Sequence, residues 1–184
     1  MPALSEINML DINSWAGQNF ALDAVGIFAA VWLVWLLAGY YFVLIRQDAL
    51  IDKYAHLFTL VLIIGLIYAT SFIVGYIWFE ARPFVDGGVS LIINIPQSEK
   101  SFPSDHAAIA FALAVACWHL KPKLSPWLFG LAGLVALARV YVGVHYLHDV
   151  IAGAVLGTAV AWVSYKLFDG NLDRLRRFFS SNSK

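Results

Sequence analysis

The chain has 184 residues, of which 61% are hydrophobic and only 13% charged, about half the charged share of an average soluble domain. That composition excludes a disordered chain and an ordinary water-soluble fold, and the balance of 12 Lys+Arg against 12 Asp+Glu gives no basic excess that would suit nucleic acid. The single cysteine, Cys117, excludes an intrachain disulfide framework and a multi-cysteine metal site, and the length predicts one domain over 1–184.

A bilayer-crossing helix needs about 20 mostly apolar residues. Residues 1–23 contain no Lys or Arg, which argues against a cleaved signal peptide, since those begin basic. Ile7, Leu10, Ile12 and Trp15 fit either a short interfacial segment or a plain flexible terminus. Residues 24–45 and 54–79 hold no Asp, Glu, Lys or Arg, and each is long enough to cross. Shorter apolar segments follow at about 104–120, 124–144 and 147–168, each polar at one end. The expected fold is therefore all-α, a polytopic transmembrane bundle of about five spans.

Basic residues orient it. Arg46 and Lys53, then Lys121 and Lys123, then Lys166, Arg174, Arg176, Arg177 and Lys184 alternate onto one side, leaving Arg82, Lys100 and Arg139 for the other. The first side should be cytoplasmic, with the N-terminus outside and the C-terminus inside. Leu172, Leu175 and Phe178 make the basic tail amphipathic, which suits either a lipid-attracted surface helix or a simple anchor. Trp78, Trp118 and Trp127 near span ends fit an aromatic belt. Gly153 and Gly157 sit at the small-residue spacing that lets helices pack closely.

The residues expected at the outer ends are of a different kind. Arg82-Pro83 follows span two, Pro103-Ser104-Asp105-His106 opens span three, Arg139 lies late in span four, and His145, His148 and Asp149 precede or open span five. Ionisable groups inside membrane spans are costly and default to function. Arg82 and Arg139 offer planar forks that match phosphate oxygens. Ser104 suits the N-cap of span three, where a helix N-terminus favours an anion. His106 can protonate a leaving oxygen. His145 and Asp149, four apart, share a face if that stretch is helical, and a carboxylate on one imidazole nitrogen leaves the other as nucleophile or base. Glu80 and Asp86 flank Arg82 and read as its salt-bridge partners. His56 and His119 read as interfacial. Asp105 either tunes His106 or faces the loop, and His148 either supports the site or lies on the surface. His145, His148 and Asp149 also have metal-like spacing, but no second carboxylate cluster completes a site.

These blocks, in this order, resemble the type 2 phosphatidic acid phosphatases, the PAP2 superfamily, whose pattern is Lys-x6-Arg-Pro, Pro-Ser-x-His and Ser-Arg-x5-His-x3-Asp. The resemblance covers 75–149. The strings at 82–85 and 101–106, Arg-Pro-Phe-Val and Ser-Phe-Pro-Ser-Asp-His, look most like the bacterial undecaprenyl-diphosphatase branch. The chain departs at two positions: Gly75 stands where the first-block Lys falls, and Ala138 where the third-block Ser falls. Lys100 is either a replacement cation from the loop or a solvated lysine. The resemblance implies a lipid phosphatase of the cytoplasmic membrane with its site facing outward. It implies His145 as nucleophile, Asp149 as its orienting carboxylate, His106 as acid, and Arg82, Ser104 and Arg139 as phosphate ligands. No metal or cofactor is implied; the partners are a lipid phosphate substrate and the bilayer. Undecaprenyl diphosphate is the expected substrate. Phosphatidylglycerophosphate, phosphatidic acid and lipid A phosphate stay open within the family, and a lipid or ion transporter is the alternative of another class.

Overall fold

The computed structural model describes residues 11–46, 50–96 and 99–181, with side chains described up to 168 except at 50, 51, 86 and 125. Ile7, Leu10 and the basic tail side chains fall outside these. Among the described residues the fold is all-helical. In chain order it has α1 (Phe20–Val31), α2 (Leu33–Ile45), α3 (Leu50–Ile77), the short α4 (Pro83–Asp86), α5 (Asp105–Leu120), a 3-10 turn (Pro122–Leu124), α6 (Ser125–Tyr141) and α7 (Leu147–Ser181).

Asn19 starts α1 by accepting the amides of Ala21 and Leu22 at 3.0 and 3.1 Å, a side-chain cap on donors that have no partner within the helix. The segment expected as one span at 24–45 is two helices, bent by 50° about Trp32. Asp52–Ile77 and Leu147–Phe168 are each long and apolar enough to cross a bilayer, and the bent pair adds a third candidate. Asp105–Leu120 and Pro126–Tyr141 are shorter apolar helices. Outer faces are greasy, with Trp35, Phe72, Tyr76, Ile77 and Val155 all well exposed. These are the surfaces of a multi-pass membrane protein.

α5 is the central post. Ala107, Ala108, Ala110, Ala112 and the run Leu113–Cys117 are at most 3% exposed, and its most extensive packing is against α7. Small residues make that approach possible. A Cβ on Gly153 would stand 2.4 Å from the Ser104 carbonyl oxygen, and one on Gly157 1.9 Å from that of Ala108. The two glycines thus press the N-terminal half of α7 against the start of α5, which sets Asp149 beside Ser104.

Residues 11–18 are pinned to the site end of the bundle. Asn13 is buried; its amide donates to the carbonyls of Ser90 (2.9 Å) and Tyr141 (2.8 Å), and its oxygen accepts the Ser90 amide at 2.7 Å. The expected alternatives for this stretch included a flexible terminus; these bonds instead tie it to the α4–α5 loop. Trp15 is 65% exposed beside them, as an interfacial residue would be.

Candidate active site

The four helix-end blocks converge on one cleft of ≈ 360 Å³. Arg82, Lys100, His106, Arg139 and His145 line it, with Val31, Ile93 and Ile95 forming an apolar border. Each group is delivered by a local feature of the chain. Arg82 is the N-cap residue of α4, where Pro83 begins the helix. His106 lies in the first turn of α5, and Arg139 in the last turn of α6. His145 sits in the turn between α6 and α7. Gly143 makes that turn at φ +83°, and a Cβ there would meet the Ser90 carbonyl oxygen at 2.5 Å, so the position needs glycine twice over.

His145 is 3% exposed, and its Nδ1 lies 3.3 Å from Asp149 Oδ2. The expected reason for their meeting was a shared helix face. In fact α7 begins at Leu147, so His145 reaches Asp149 from the preceding turn. Asp149 Oδ2 also accepts the Ser101 hydroxyl at 2.6 Å and the Tyr146 amide at 2.8 Å. These bonds fix the carboxylate and leave Nε2 as the ring nitrogen that Asp149 does not engage. Burial pushes the His145 imidazole down to about 4; the Asp149 hydrogen bond opposes this, and Arg139 and Arg82 reinforce it. The ring is therefore neutral at ordinary pH, the form a nucleophile needs.

The two arginines are held by their outer nitrogens. Arg82 Nη1 donates to the Val144 carbonyl at 3.3 Å and Nη2 pairs with Glu99 at 2.9 Å. Burial lowers the pKa of Arg82, with Glu99, Asp105 and Asp149 pulling it back. Arg139 Nη1 donates to the Ala30 carbonyl at 3.3 Å, beside the bend between α1 and α2. Both Nε atoms are buried and make no hydrogen bond within the protein; neither does the hydroxyl of Ser104, which is 0% exposed. Ser104 is the N-cap of α5, as its position predicts, but its hydroxyl does not cap. Its amide instead donates to the Asp149 carbonyl at 3.1 Å. Among the described residues, Arg82 Nε, Ser104 Oγ, Arg139 Nε and Asp149 Oδ1 are the buried side-chain polar atoms without a hydrogen bond. All four belong to this one site. Buried polar groups are almost always paired, so such a cluster requires an explanation; three of the four are donors, which an anion would satisfy.

Lys100 is not a solvated loop residue. Its amine donates to Ser71 Oγ at 2.8 Å and to the Pro103 carbonyl at 3.1 Å, and pairs with Asp105 at 3.3 Å. Its stem crosses α3 at Gly75, where a Cβ would stand 2.2 Å from Lys100 Cδ. The missing side chain at position 75 makes room for the lysine that arrives from the loop. Asp105 therefore faces Lys100 and Ser71.

The partners expected for Arg82 are corrected. Glu80 pairs with His148 at 3.0 Å, because Glu80 follows α3 on the side where α7 starts; Arg82 turns to Glu99. The Asp86 side chain lies outside the described residues. Ser101, Ser71 and Glu99 were not expected at the site. Only the position of Ser101 inside the Ser-Phe-Pro-Ser-Asp-His string could have singled it out.

Known proteins resemble this chain. The PAP2 superfamily matches residues 56–173. An undecaprenyl-diphosphatase of Sulfolobus acidocaldarius is 33% identical over 114 residues, 56% of this chain and 55% of the relative. The undecaprenyl-diphosphatase BcrC of Bacillus subtilis is 31% identical over 102 residues, 54% and 51% of the two chains. The chain thus spans about half the length of the curated relatives it matches. The solved structure of Aquifex aeolicus LpxE has a TM-score of 0.70 at 26% identity, covering 90% of this chain and 96% of that one.

Proposed function

The chain belongs to the PAP2 superfamily, and from that premise we propose that it is an integral membrane phosphatase that removes the terminal phosphate of a lipid diphosphate. The observation that carries this reading is the set of three buried donors without partners, Arg82 Nε, Ser104 Oγ and Arg139 Nε, around a cleft that also holds a neutral, carboxylate-braced His145. Undecaprenyl diphosphate is the substrate we favour, because relatives of that name match this chain.

His145 Nε2 attacks the terminal phosphorus. The new P–N bond forms as the bond to the bridging oxygen breaks, and His106, protonated once the negative charge of the diphosphate lies against it, gives that oxygen a proton as the lipid monophosphate leaves. The imidazole becomes cationic, and Asp149 Oδ2 stabilises it from the far side. Water then attacks the phosphohistidine. His106, now neutral, takes the proton of that water, and inorganic phosphate is released. Arg82, Ser104 and Arg139 hold the equatorial oxygens, and Lys100 adds a cation at the cleft wall. Preorganised donors of this kind supply much of the stabilisation in phosphoryl transfer, so the scheme routes no step through a metal.

We place the site at the extracytoplasmic face, with five crossings of the cytoplasmic membrane and the C-terminus in the cytoplasm. Supporting this, the basic residues outside the site alternate onto the opposite side. The test is phosphate release by the purified full chain from a panel of lipid diphosphates and monophosphates, with and without EDTA. Preferential release from undecaprenyl diphosphate, undiminished by EDTA, is expected. A preference for lipid A phosphate or phosphatidylglycerophosphate would overturn the substrate assignment, and release from none would overturn the enzyme reading.

A further inference from the structure

Three carboxylate oxygens crowd a single imidazole nitrogen next to the cleft. His148 Nε2 lies 3.1 and 3.0 Å from the two oxygens of Glu80. It also lies 3.2 Å from Asp149 Oδ1. One ring nitrogen carries at most one hydrogen. Glu80 takes it, and Asp149 Oδ1, on a residue that is 0% exposed, receives no hydrogen bond. A buried carboxylate oxygen pointing at this cluster without a donor is expensive. The ring has little freedom to turn away, because Tyr146 stacks on it at 5.3 Å with a 9° interplanar angle and Phe102 lies 5.9 Å off. The proposed chemistry uses neither His148 nor Glu80, and it uses Asp149 only through Oδ2.

We propose that Glu80, His148 and Asp149 form a binding site for a divalent transition-metal ion of the Zn²⁺ type, and that its occupation inhibits the enzyme. One nitrogen and two carboxylate oxygens suit such an ion, and three protein ligands leave a fourth position for water. The ligand atoms all lie within 4.8 Å of one another; a tetrahedral ion with bonds of about 2.0–2.2 Å needs them roughly 3.4 Å apart, a small adjustment. The ion takes the lone pair of Nε2 while Nδ1 holds the hydrogen of the neutral ring, and it gives one oxygen of each carboxylate a shared cation. Access is available, since the side chains of His148 and Glu80 are 39% and 27% exposed. Inhibition follows from the shared ligand. Asp149 braces His145 through Oδ2, and a cation on Oδ1 draws its charge away from the imidazolium that must form. The binding half stands on the cluster alone; the inhibitory half rests on the phosphatase reading above.

The test uses the full chain in detergent, stripped with EDTA and dialysed. Added Co²⁺ should produce visible d–d absorption bands that saturate at one equivalent and are displaced by Zn²⁺. His148→Ala and the near-isosteric Glu80→Gln should each weaken Co²⁺ binding at least ~10-fold, as loss of a ligand costs no less than loss of an outer-shell partner. In the same preparations Zn²⁺ should suppress phosphate release by the native chain, reversibly by EDTA. Both variants should keep their basal activity and resist Zn²⁺. No bands with the native chain, or bands unchanged in both variants, would overturn the site. Bands with no effect of Zn²⁺ on turnover would overturn the inhibition. A chain that shows the bands but hydrolyses nothing would sink the phosphatase reading and leave the metal site standing.

Discussion

α5 carries a histidine-containing polar cluster at each end, and the two are built to opposite rules. At its C-terminal end the His119 ring stacks on Tyr165 at 4.5 Å. Tyr41 donates its hydroxyl to the His56 carbonyl at 3.1 Å, so Tyr165 must be the donor in the 2.9 Å bond between the two tyrosines. Every hydroxyl there has a partner. At its N-terminal end Ser104, Arg82 and Arg139 each keep a buried atom with none. Between the two lie Ile63, Ile67, Ala110 and Leu113, all at most 1% exposed. Polar burial alone does not mark a reactive site; polar burial left unsatisfied does, because closed hydrogen bonds stabilise a bundle while open ones wait for a ligand.

The contrast can be broken by substitution. His106→Ala at the open end should slow hydrolysis of a lipid diphosphate about 10²–10⁴-fold, the usual worth of general acid catalysis. An aryl phosphate, whose leaving group needs little protonation, should recover much of that loss; equal losses on both substrates would remove His106 from the acid role. Ser101→Ala takes one charge-assisted bond from Asp149. Such bonds are worth about 1.5–3 kcal/mol, so turnover should fall roughly 10–100-fold with the fold intact. Unchanged turnover would show that the His145 and Tyr146 contacts suffice to fix the carboxylate.

The acid limb of kcat/KM sharpens the comparison further, because it reports the free enzyme. His145 must be neutral to attack, and burial holds its pKa at about 4. Activity should therefore persist as pH falls through 6.5 and collapse only near 4, once the ionisation of the substrate, followed by phosphorus NMR, is divided out. A limb at the ordinary histidine value would mean that His145 is solvated in the working enzyme. The smallest effect belongs to the closed end. Tyr165→Phe should cost about 1 kcal/mol of stability in a denaturant titration and leave turnover unchanged; a large loss of turnover would erase the distinction between the two clusters.

The open end was legible in the sequence to the extent that its residues differ in kind from ordinary helix ends. Arg82, Ser104, His106, Arg139, His145 and Asp149 stand in three spaced blocks, and all six come together. Ser101 and Glu99 were not legible, since a loop serine and a loop glutamate look like solvent-facing residues until the fold shows which buried group they touch. Gly75 and Lys100 were half legible: the missing lysine could be seen, but not that the glycine clears the path for another. The bend at Trp32 left no local mark. Gly26 and Gly39 lie well to either side of it, and the break is stabilised from outside, by Arg139 on the Ala30 carbonyl. Sequence adjacency points Glu80 to Arg82, whereas the fold sets Glu80, just past α3, beside the start of α7 and so against His148.

The central claim is that His145, braced by Asp149, carries the phosphoryl group. Rapid-quench trapping tests it most directly, with a lipid diphosphate labelled on its terminal phosphate and the protein recovered after quenching. The native chain should yield an acid-labile, base-stable phosphoenzyme whose label maps to His145, and His145→Ala should yield none. Label retained in His145→Ala but lost in His106→Ala would reverse the two histidines and contradict the account.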